Sequence, residues 1–224
     1  AARALAAART RAGQISTLLV PADAAWSEGG RLADPVAPPP RAKVAEAAIA
    51  DAVRALAKGE AMLLVGNGAV MRQPLILAAA IARKTGARIA SIGRNPRLER
   101  GVGTPVVERL PNPAGPQTAA LSRIRQLILI GEEVPVAFFA HPDRPSTTTH
   151  PDCTILHLAS PHDDILDCVT RLAAEVGARA EDVPLQQLAR PEISPGALTP
   201  DSVAMVLGAL LPENCIVADE SITV

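Results

Sequence analysis

The chain has 224 residues, of which 48% are hydrophobic and 1% aromatic, and its 22 basic and 23 acidic residues give a net charge of −1. This length suits one α/β domain with extensions, and the apolar content excludes a disordered chain. Without a basic stripe or aromatic platforms for bases, we expect no nucleic-acid partner. No apolar run reaches the ~18 residues of a membrane helix, so we expect no membrane span. Three cysteines, an odd and sparse set, favour a reducing, cytoplasmic location.

The first predicted elements are a helix from Ala2 to Arg9 and a short strand from Ile15 to Val20. The segment from Pro21 to Pro40 is rich in proline and glycine. Because proline fixes φ and lacks a backbone donor, this segment is predicted to be an extended linker.

A regular α/β pattern follows the linker. Its predicted elements, in order, are a helix with an apolar face from Ala45 to Leu56, a strand at Ala61–Val65, a turn at Gly66–Gly68, a helix from about Pro74 to Gly86, a strand at Ala87–Ile92, an irregular loop from Gly93 to Gly115, a helix at Thr118–Arg125, a strand at Leu127–Ile130, a strand at Thr154–Leu158, and a helix that starts at Ser160 or Asp163. The strands are continuously apolar, which indicates a parallel sheet covered on both faces. We therefore predict an α/β fold with a Rossmann-like parallel sheet of about six strands and helices on both faces.

The last part of the chain opens with a second proline-rich linker. A helix is predicted from Pro200 to Leu211, and a strand from Cys215 to Ala218. The polar run from Asp219 to Thr223 follows this strand, at the end of a parallel strand where ligands usually bind.

The turn at Gly66 and Gly68 is a candidate nucleotide-binding element, because dinucleotide folds bind pyrophosphate between the first strand and its helix. The fingerprint is incomplete, since Met71 stands where a third glycine is needed. Gly93-Arg94 also replaces the acidic residue expected after the next strand. A tight structural turn without a ligand is the alternative.

The long loop after the second strand contains several arginines. Arg94 and Arg97, near Arg100 and Arg109, are candidate residues for holding a diphosphate. The alternative is a solvated surface or an interdomain salt-bridge surface.

Other reactive side chains predict no chemistry. His141, His150, Cys153 and His157 match no metal-ligand spacing, so no metal site is predicted. Cys168 lies on an apolar helical face and is interpreted as core rather than as a nucleophile. No catalytic constellation is predicted, and we name no catalytic residue.

Five segments together resemble a known family in order and spacing. They are Leu18–Trp26, Leu63–Ala69, Arg100–Pro111, Leu127–Phe139 and Ile216–Ser221. The resemblance is to thiamine diphosphate-dependent enzymes of the acetolactate synthase and benzoylformate decarboxylase type, and above all to their central domain.

The resemblance implies a division of the chain. Residues 1–26 are expected to be the end of a pyrimidine-binding domain, 27–40 a linker, 41–178 the central domain, 179–199 a linker, and 200–224 the start of a diphosphate-binding domain. The parent enzyme is expected to use thiamine diphosphate and Mg²⁺, to act on a small 2-keto acid, and to be a homo-oligomer. The remaining domains of the same subunit are the expected partners of this segment.

The same resemblance suggests roles for individual residues. Glu220, Ser221 and Thr223 resemble the Asn-Glu-Ser-Thr turn of benzoylformate decarboxylase and would border the cofactor diphosphate. The family's activating glutamate and its Gly-Asp-Gly…Asn motif do not occur in these residues, so the chain alone is expected to be inactive. Some relatives bind FAD or ADP in the central domain, but the Gly-Glu-Glu-Val-Pro sequence from Gly131 to Pro135 departs from the flavin-binding pattern.

Two rival hypotheses come from other classes of protein. The first is a stand-alone module that binds ADP, FAD or NAD through Gly66, Gly68 and the arginine loop. The second is a complete small enzyme, which no catalytic constellation supports.

Overall fold

The computed structural model describes residues 1–10, 12–140, 142–193 and 195–220. The chain divides into two compact units, Ala1–Gln186 and Gln187–Val224. None of the helices within the described ranges is long and apolar enough to cross a membrane.

The first unit is built on a five-stranded sheet in the order β3-β2-β1-β4-β5. Its strands are β1 (Ala61–Val65), β2 (Arg88–Ser91), β3 (Glu108–Arg109), β4 (Gln126–Ile130) and β5 (Thr154–Ala159). Every pair of neighbours is parallel. The predicted α/β class with a Rossmann-like parallel sheet is confirmed, with five strands where about six were expected.

Two of the predicted strands do not form. Residues 15–20 and 215–218 have no regular secondary structure, and Ile15 and Ile216 are each 97% exposed. A strand needs a neighbour that takes up its backbone hydrogen bonds, and the described residues supply none to either segment. The sheet instead gains β3, which pairs with the edge of β2 and is too short and polar to be predicted from its pattern.

One face of the sheet, called here the first face, packs against three helices. They are α3 (Glu46–Ala57), α4 (Arg72–Thr85) and α6 (Ile165–Val176). Leu63 of β1 and Ile128 of β4 belong to this core, and both are fully buried. Because successive side chains of a strand alternate in direction, every second residue of the central strands faces these helices.

The opposite, second face is covered by much less regular structure. Its core contains Met62, Leu64, Leu127 and Leu129 from the two central strands, together with Leu110, Leu121 and Ile124. The helix on this side is α5 (Ala114–Leu121). Helices therefore lie on both faces, as predicted, but in very unequal amounts.

Helix ends explain the largest differences from the prediction. Helix α5 begins four residues earlier than the predicted Thr118, because Pro113 is extended and ends the preceding loop. Helix α6 was predicted to start at Ser160 or Asp163, but it begins at Ile165. The Asp164 carboxylate caps it there by accepting the Asp167 amide at 3.1 Å. The predicted left-handed cap at Gly86 is confirmed, with φ of 74°.

The segment predicted as the first linker contains one further helix. Helix α2 (Ala22–Trp26) is a single exposed turn, and it follows α1 (Ala2–Ala8), which was predicted. Proline at position 21 is compatible with a helix start, which explains why a proline-rich segment still forms a turn of helix.

The second unit contains α7 (Pro200–Leu210). Thr199 accepts the Ser202 amide at 3.1 Å, and the Ser202 hydroxyl accepts the Thr199 amide at 2.8 Å, so the two residues form a reciprocal cap. At the other end, the Arg190 guanidinium donates to the carbonyls of Ala209 and Leu211 at 2.8 and 3.1 Å. These contacts hold the helix predicted from Pro200 within its own unit.

Candidate functional site

The sheet topology places the candidate site at the carboxyl ends of β1 and β4. From β1 the chain crosses to β2 and β3 on one side, and the later strands β4 and β5 lie on the other side. Loops that leave two adjacent strands in opposite directions open a crevice between them, and this is where Rossmann-like folds bind ligands. In this chain the crevice lies between Gly66, after β1, and Gly131, after β4.

The two glycines are in very close contact. A Cβ atom on Gly131 would lie 2.5 Å from the Gly66 carbonyl oxygen, and one on Gly66 would lie 3.1 Å from the Gly131 carbonyl oxygen. Gly131 also has φ of 68°, which side-chain-bearing residues rarely adopt. The Asn67 side-chain amide then donates to the Gly131 carbonyl at 2.8 Å. The crevice is therefore closed by direct contact between its two walls.

Glu132 fills the space above this contact. It is 9% exposed, and its carboxylate lies so close to the Gly66 Cα that any Cβ on Gly66 would overlap it. One carboxylate oxygen accepts the Glu133 amide at 2.9 Å. Burial raises the pKa of Glu132 above its ordinary value, while the Glu133 amide and the Arg94 guanidinium oppose that shift.

The backbone amides near the crevice already have acceptors from this chain. The Asn67 amide donates to the Asn95 side-chain oxygen at 3.0 Å, and Asn95 in turn donates to the Ile92 carbonyl at 2.8 Å. The turn forms a 3₁₀ helix at Asn67–Val70, so α4 does not follow Gly66 directly. The first amide of α4, at Arg72, donates to the Glu99 carboxylate at 3.0 Å. A carboxylate of the protein thus sits at the helix N-terminus, where a phosphate would bind.

The arginine loop does not converge on one point. The Arg94 guanidinium lies 5.3 Å from the centre of the Phe138 ring, which itself meets Phe139 edge to face. Arg97 is exposed on the surface. The Arg109 guanidinium packs against Gly93. Of the predicted nucleotide residues, Gly66, Gly68 and Arg94 lie near the crevice.

A small cleft beside the crevice has a volume of about 140 Å³. Among the residues that line it are Ile92, Arg94, Asn112, Gln117, Glu132 and Val136. Sites for nucleotide-sized ligands occupy roughly 300–1,000 Å³. This cleft is therefore smaller than the usual range for a ligand of that size.

A buried polar network supports one wall of this cleft. The Thr148 hydroxyl lies 2.9 Å from the Gln117 side-chain oxygen and 3.0 Å from the Pro135 carbonyl. The Gln117 side-chain amide donates to the Pro111 carbonyl at 3.0 Å. These bonds join three loops at the edge of the second face.

The residues predicted to border thiamine diphosphate are only partly described. Glu220 is exposed in the second unit, whereas Ser221 and Thr223 lie outside the described residues. No catalytic step is assigned to Glu220.

The reactive side chains are dispersed, and the described ranges contain no group of three or more His, Cys, Asp or Glu residues that could hold a metal. His157 lies in β5 as predicted, His150 accepts the Asp152 amide at 3.1 Å, and His141 is outside the described residues. Cys168 is fully buried in the first face, which confirms its interpretation as core, and burial raises its thiol pKa to about 12.

Sequence reasoning missed the three acceptors that fill the site, namely Asn95, Glu99 and Glu132. A signal existed for Glu132, because it directly follows the glycine that ends the most apolar strand. Asn95 and Glu99 lie in an irregular loop, where the spacing of residues does not indicate which way a side chain points.

Comparison with known proteins gives a consistent result. No family model matches the chain. The chain is 41% identical over 223 residues to a Mycobacterium tuberculosis protein named "Putative acetolactate synthase large subunit IlvX". The match covers 99% of this chain but 42% of that protein, so the chain spans less than half the length of its curated relative.

Two solved structures share the fold at 18% sequence identity. One is the structure of "a putative thiamin diphosphate-dependent enzyme" from Mycobacterium smegmatis, with a TM-score of 0.53 over 81% of this chain and 39% of that one. The other is the thiamine diphosphate-dependent 4-hydroxybenzoylformate decarboxylase of Rhodococcus jostii RHA1, with a TM-score of 0.54 over 88% of this chain and 39% of that one. The predicted resemblance is therefore confirmed: the chain is similar in sequence to an acetolactate synthase-like protein and shares its fold with thiamine diphosphate-dependent enzymes.

Proposed function

We propose that the chain serves as the central, structural domain of a thiamine diphosphate-dependent 2-keto acid decarboxylase or carboligase, with pieces of the two flanking domains at residues 1–26 and 200–224. The observation that carries this proposal is the 41% identity to the acetolactate synthase-like relative over nearly all of this chain. The domain would hold the two cofactor-binding domains apart, and would itself bind no substrate.

The crevice geometry supports a structural role rather than a nucleotide-binding one. Its walls touch through Gly66 and Gly131, and Glu132 fills the remaining space. A domain whose ligand position is filled by its own side chains is stable without a bound nucleotide. This favours the hypothesis of a central domain that spaces the two cofactor-binding domains (the spacer role) over the hypothesis of a stand-alone module that binds ADP, FAD or NAD.

In the parent enzyme we propose thiamine diphosphate and Mg²⁺ as cofactors, a small 2-keto acid as substrate, a homo-oligomeric assembly and a cytoplasmic location. Thiamine diphosphate supplies the electron sink for decarboxylation when it is bound. Glu220, Ser221 and Thr223 are the residues of this chain proposed to lie near its diphosphate. The second candidate is a parent enzyme of the benzoylformate decarboxylase type. The resemblance of this run to benzoylformate decarboxylase favours simple decarboxylation over acetolactate formation.

The test compares two polypeptides with added thiamine diphosphate and Mg²⁺. One is the 224-residue chain, and the other is the continuous reading frame that contains it. We expect CO₂ release from pyruvate or benzoylformate by the longer polypeptide and none by the chain alone. Release by the chain alone would contradict the spacer role, and an inactive longer polypeptide without thiamine diphosphate binding would contradict the family assignment.

A further inference from the structure

The strand ends that receive a dinucleotide in other Rossmann-like folds carry polar groups that all need partners. Free amides at a turn and at a helix N-terminus attract anions, because their N–H groups and the helix dipole both favour negative charge. In this chain the corresponding amides are those of Asn67 and Arg72, and each has a partner of its own.

The partners come from two separate loops, and all are acceptors. Asn95 accepts the Asn67 amide at 3.0 Å, and Glu99 accepts the Arg72 amide at 3.0 Å. The Glu99 carboxylate also lies 3.6 Å from the Arg72 guanidinium, so its charge is paired at the same helix end. Glu132 comes from the far side of the crevice and covers Gly66.

Glu132 is the least expected of the three. Its side chain is nine-tenths buried, and no cation of the described residues forms an ion pair with it. A buried carboxylate is costly to hold unless its position is enforced by packing. The contact of Gly66 and Gly131 beneath it provides such packing. A second anion could not approach Gly66 without displacing this carboxylate.

We propose that Asn95, Glu99 and Glu132 replace the anionic groups of a ligand and close the crevice to nucleotides. This inference rests on the proposed structural role and names the residues responsible for it. Asn95 and Glu99 satisfy the amides that would bind phosphate, and Glu132 occupies the space and repels negative charge. The loops after β1, β2 and β4 are then ordered without any ligand.

The first experiment measures binding of ADP and inorganic pyrophosphate to the 224-residue chain by calorimetry and by the shift in Tm. For the wild type we expect no heat of binding and an unchanged Tm at ~1 mM ligand. For the double variant Glu99→Ala/Glu132→Ala we expect a Kd near ~100 µM and a Tm raised by about 3–5 °C at that concentration.

The matched control is Glu28→Ala/Glu175→Ala. It removes the same net charge, but Glu28 and Glu175 are exposed residues and neither lines the cleft beside the crevice. We expect it to behave like the wild type. Binding by the wild type, equal binding by the control, or no binding by a folded Glu99→Ala/Glu132→Ala variant would each overturn the proposal.

A second measurement applies even if the double variant does not fold. Amide hydrogen exchange of the wild type should show protection at Asn67 and Arg72 without ligand. Asn95→Ala should remove protection at Asn67 alone, and Glu99→Ala should remove it at Arg72 alone. Unchanged protection of these two amides in the variants would contradict the proposal. An inactive parent enzyme would contradict the proposed function but would change none of these results.

Discussion

The two faces of the sheet are built in different ways from the same strands. On the first face the side chains of β1 and β4 meet three long helices, and the core there is almost entirely aliphatic. On the second face the same strands meet one short helix and several loops, which are joined by the buried Gln117–Thr148 hydrogen bond. We infer that the first face provides most of the stability, and that the second face is shaped by the loops around the cleft.

The largest expected effect compares two adjacent leucines of β1. Leu63 faces the first core and Leu64 the second, and both are fully buried. We expect Leu63→Ala to lower the free energy of unfolding by about 4 kcal/mol and Leu64→Ala by about 3 kcal/mol, because loops collapse into a cavity more readily than three packed helices do. Urea denaturation of both variants measures the difference. An equal or larger loss for Leu64→Ala would contradict the inferred difference between the faces.

A smaller loss is expected at the polar network of the second face. Thr148→Val removes a hydroxyl that lies near two acceptors, and the Gln117 side-chain oxygen stays buried without that donor. We expect a loss of about 1–3 kcal/mol in the free energy of unfolding. Thr154→Val, an exposed position at the start of β5, serves as the control and should be close to neutral. Denaturation midpoints that do not differ between the two variants would show that the network is dispensable.

The free energy of unfolding is expected to depend on pH through the ion pairs of Asp167. Asp167 on α6 lies 2.8 Å from the Lys43 amine and 2.8 Å from the Arg171 guanidinium, and Lys43 above all lowers its pKa. Because the pKa is lower in the folded state, these ion pairs stabilise the protein above the ordinary aspartate pKa. Their contribution is lost as the pH falls through the folded value.

The measurement is a series of urea midpoints between about pH 6 and pH 3. The difference between the wild type and Asp167→Asn should shrink towards the acid end of this series. Asp34→Asn, an exposed residue of the 27–40 segment, should show no such trend. A constant difference between the wild type and Asp167→Asn would mean that ionisation of this carboxylate does not contribute to the free energy of unfolding.

The smallest perturbation uses the cysteines as reporters of local opening. Cys168 is buried in the first face, and Cys153 lies partly buried beside the second. Burial raises the thiol pKa at both positions, to about 12 at Cys168. We expect a thiol reagent to label exposed Cys215 first, Cys153 next and Cys168 last, with mass spectrometry to assign the sites. Labelling of Cys168 before Cys153 would mean that the first face opens more easily.

The sequence predicted the fold better than the site, for a physical reason. Buried parallel strands are continuously apolar, so β1 and β4 were recognisable from their residues alone, as was the left-handed end of α4 at Gly86. Strand β3 has only two exposed residues and depends on its neighbour β2, so its own pattern does not indicate it. The segments 15–20 and 215–218 show the reverse case, an apolar pattern without a partner strand.

The site depends on contacts between residues far apart in the chain. Asn67 and Asn95 are separated by 28 positions, and Asn67 and Gly131 by 64. A glycine-rich turn after a strand is the same in a site that binds a phosphate and in one filled by a glutamate. Gly66 and Gly68 lie at the crevice between β1 and β4, and their role as nucleotide residues stays a prediction. The side chains of other loops determine what occupies this place.

Gln186 marks a useful boundary for shortened versions of the molecule. Its backbone amide donates to the Thr104 carbonyl and its carbonyl accepts the Gly103 amide, both at 3.0 Å, so the long loop before β3 is fastened to the last residue of the first unit. A polypeptide cut just after this glutamine retains every strand together with that fastening. One cut a single position earlier would lose both hydrogen bonds, and the part of the loop around Gly103 and Thr104 would be more open to proteases, although the two polypeptides contain the same strands and helices.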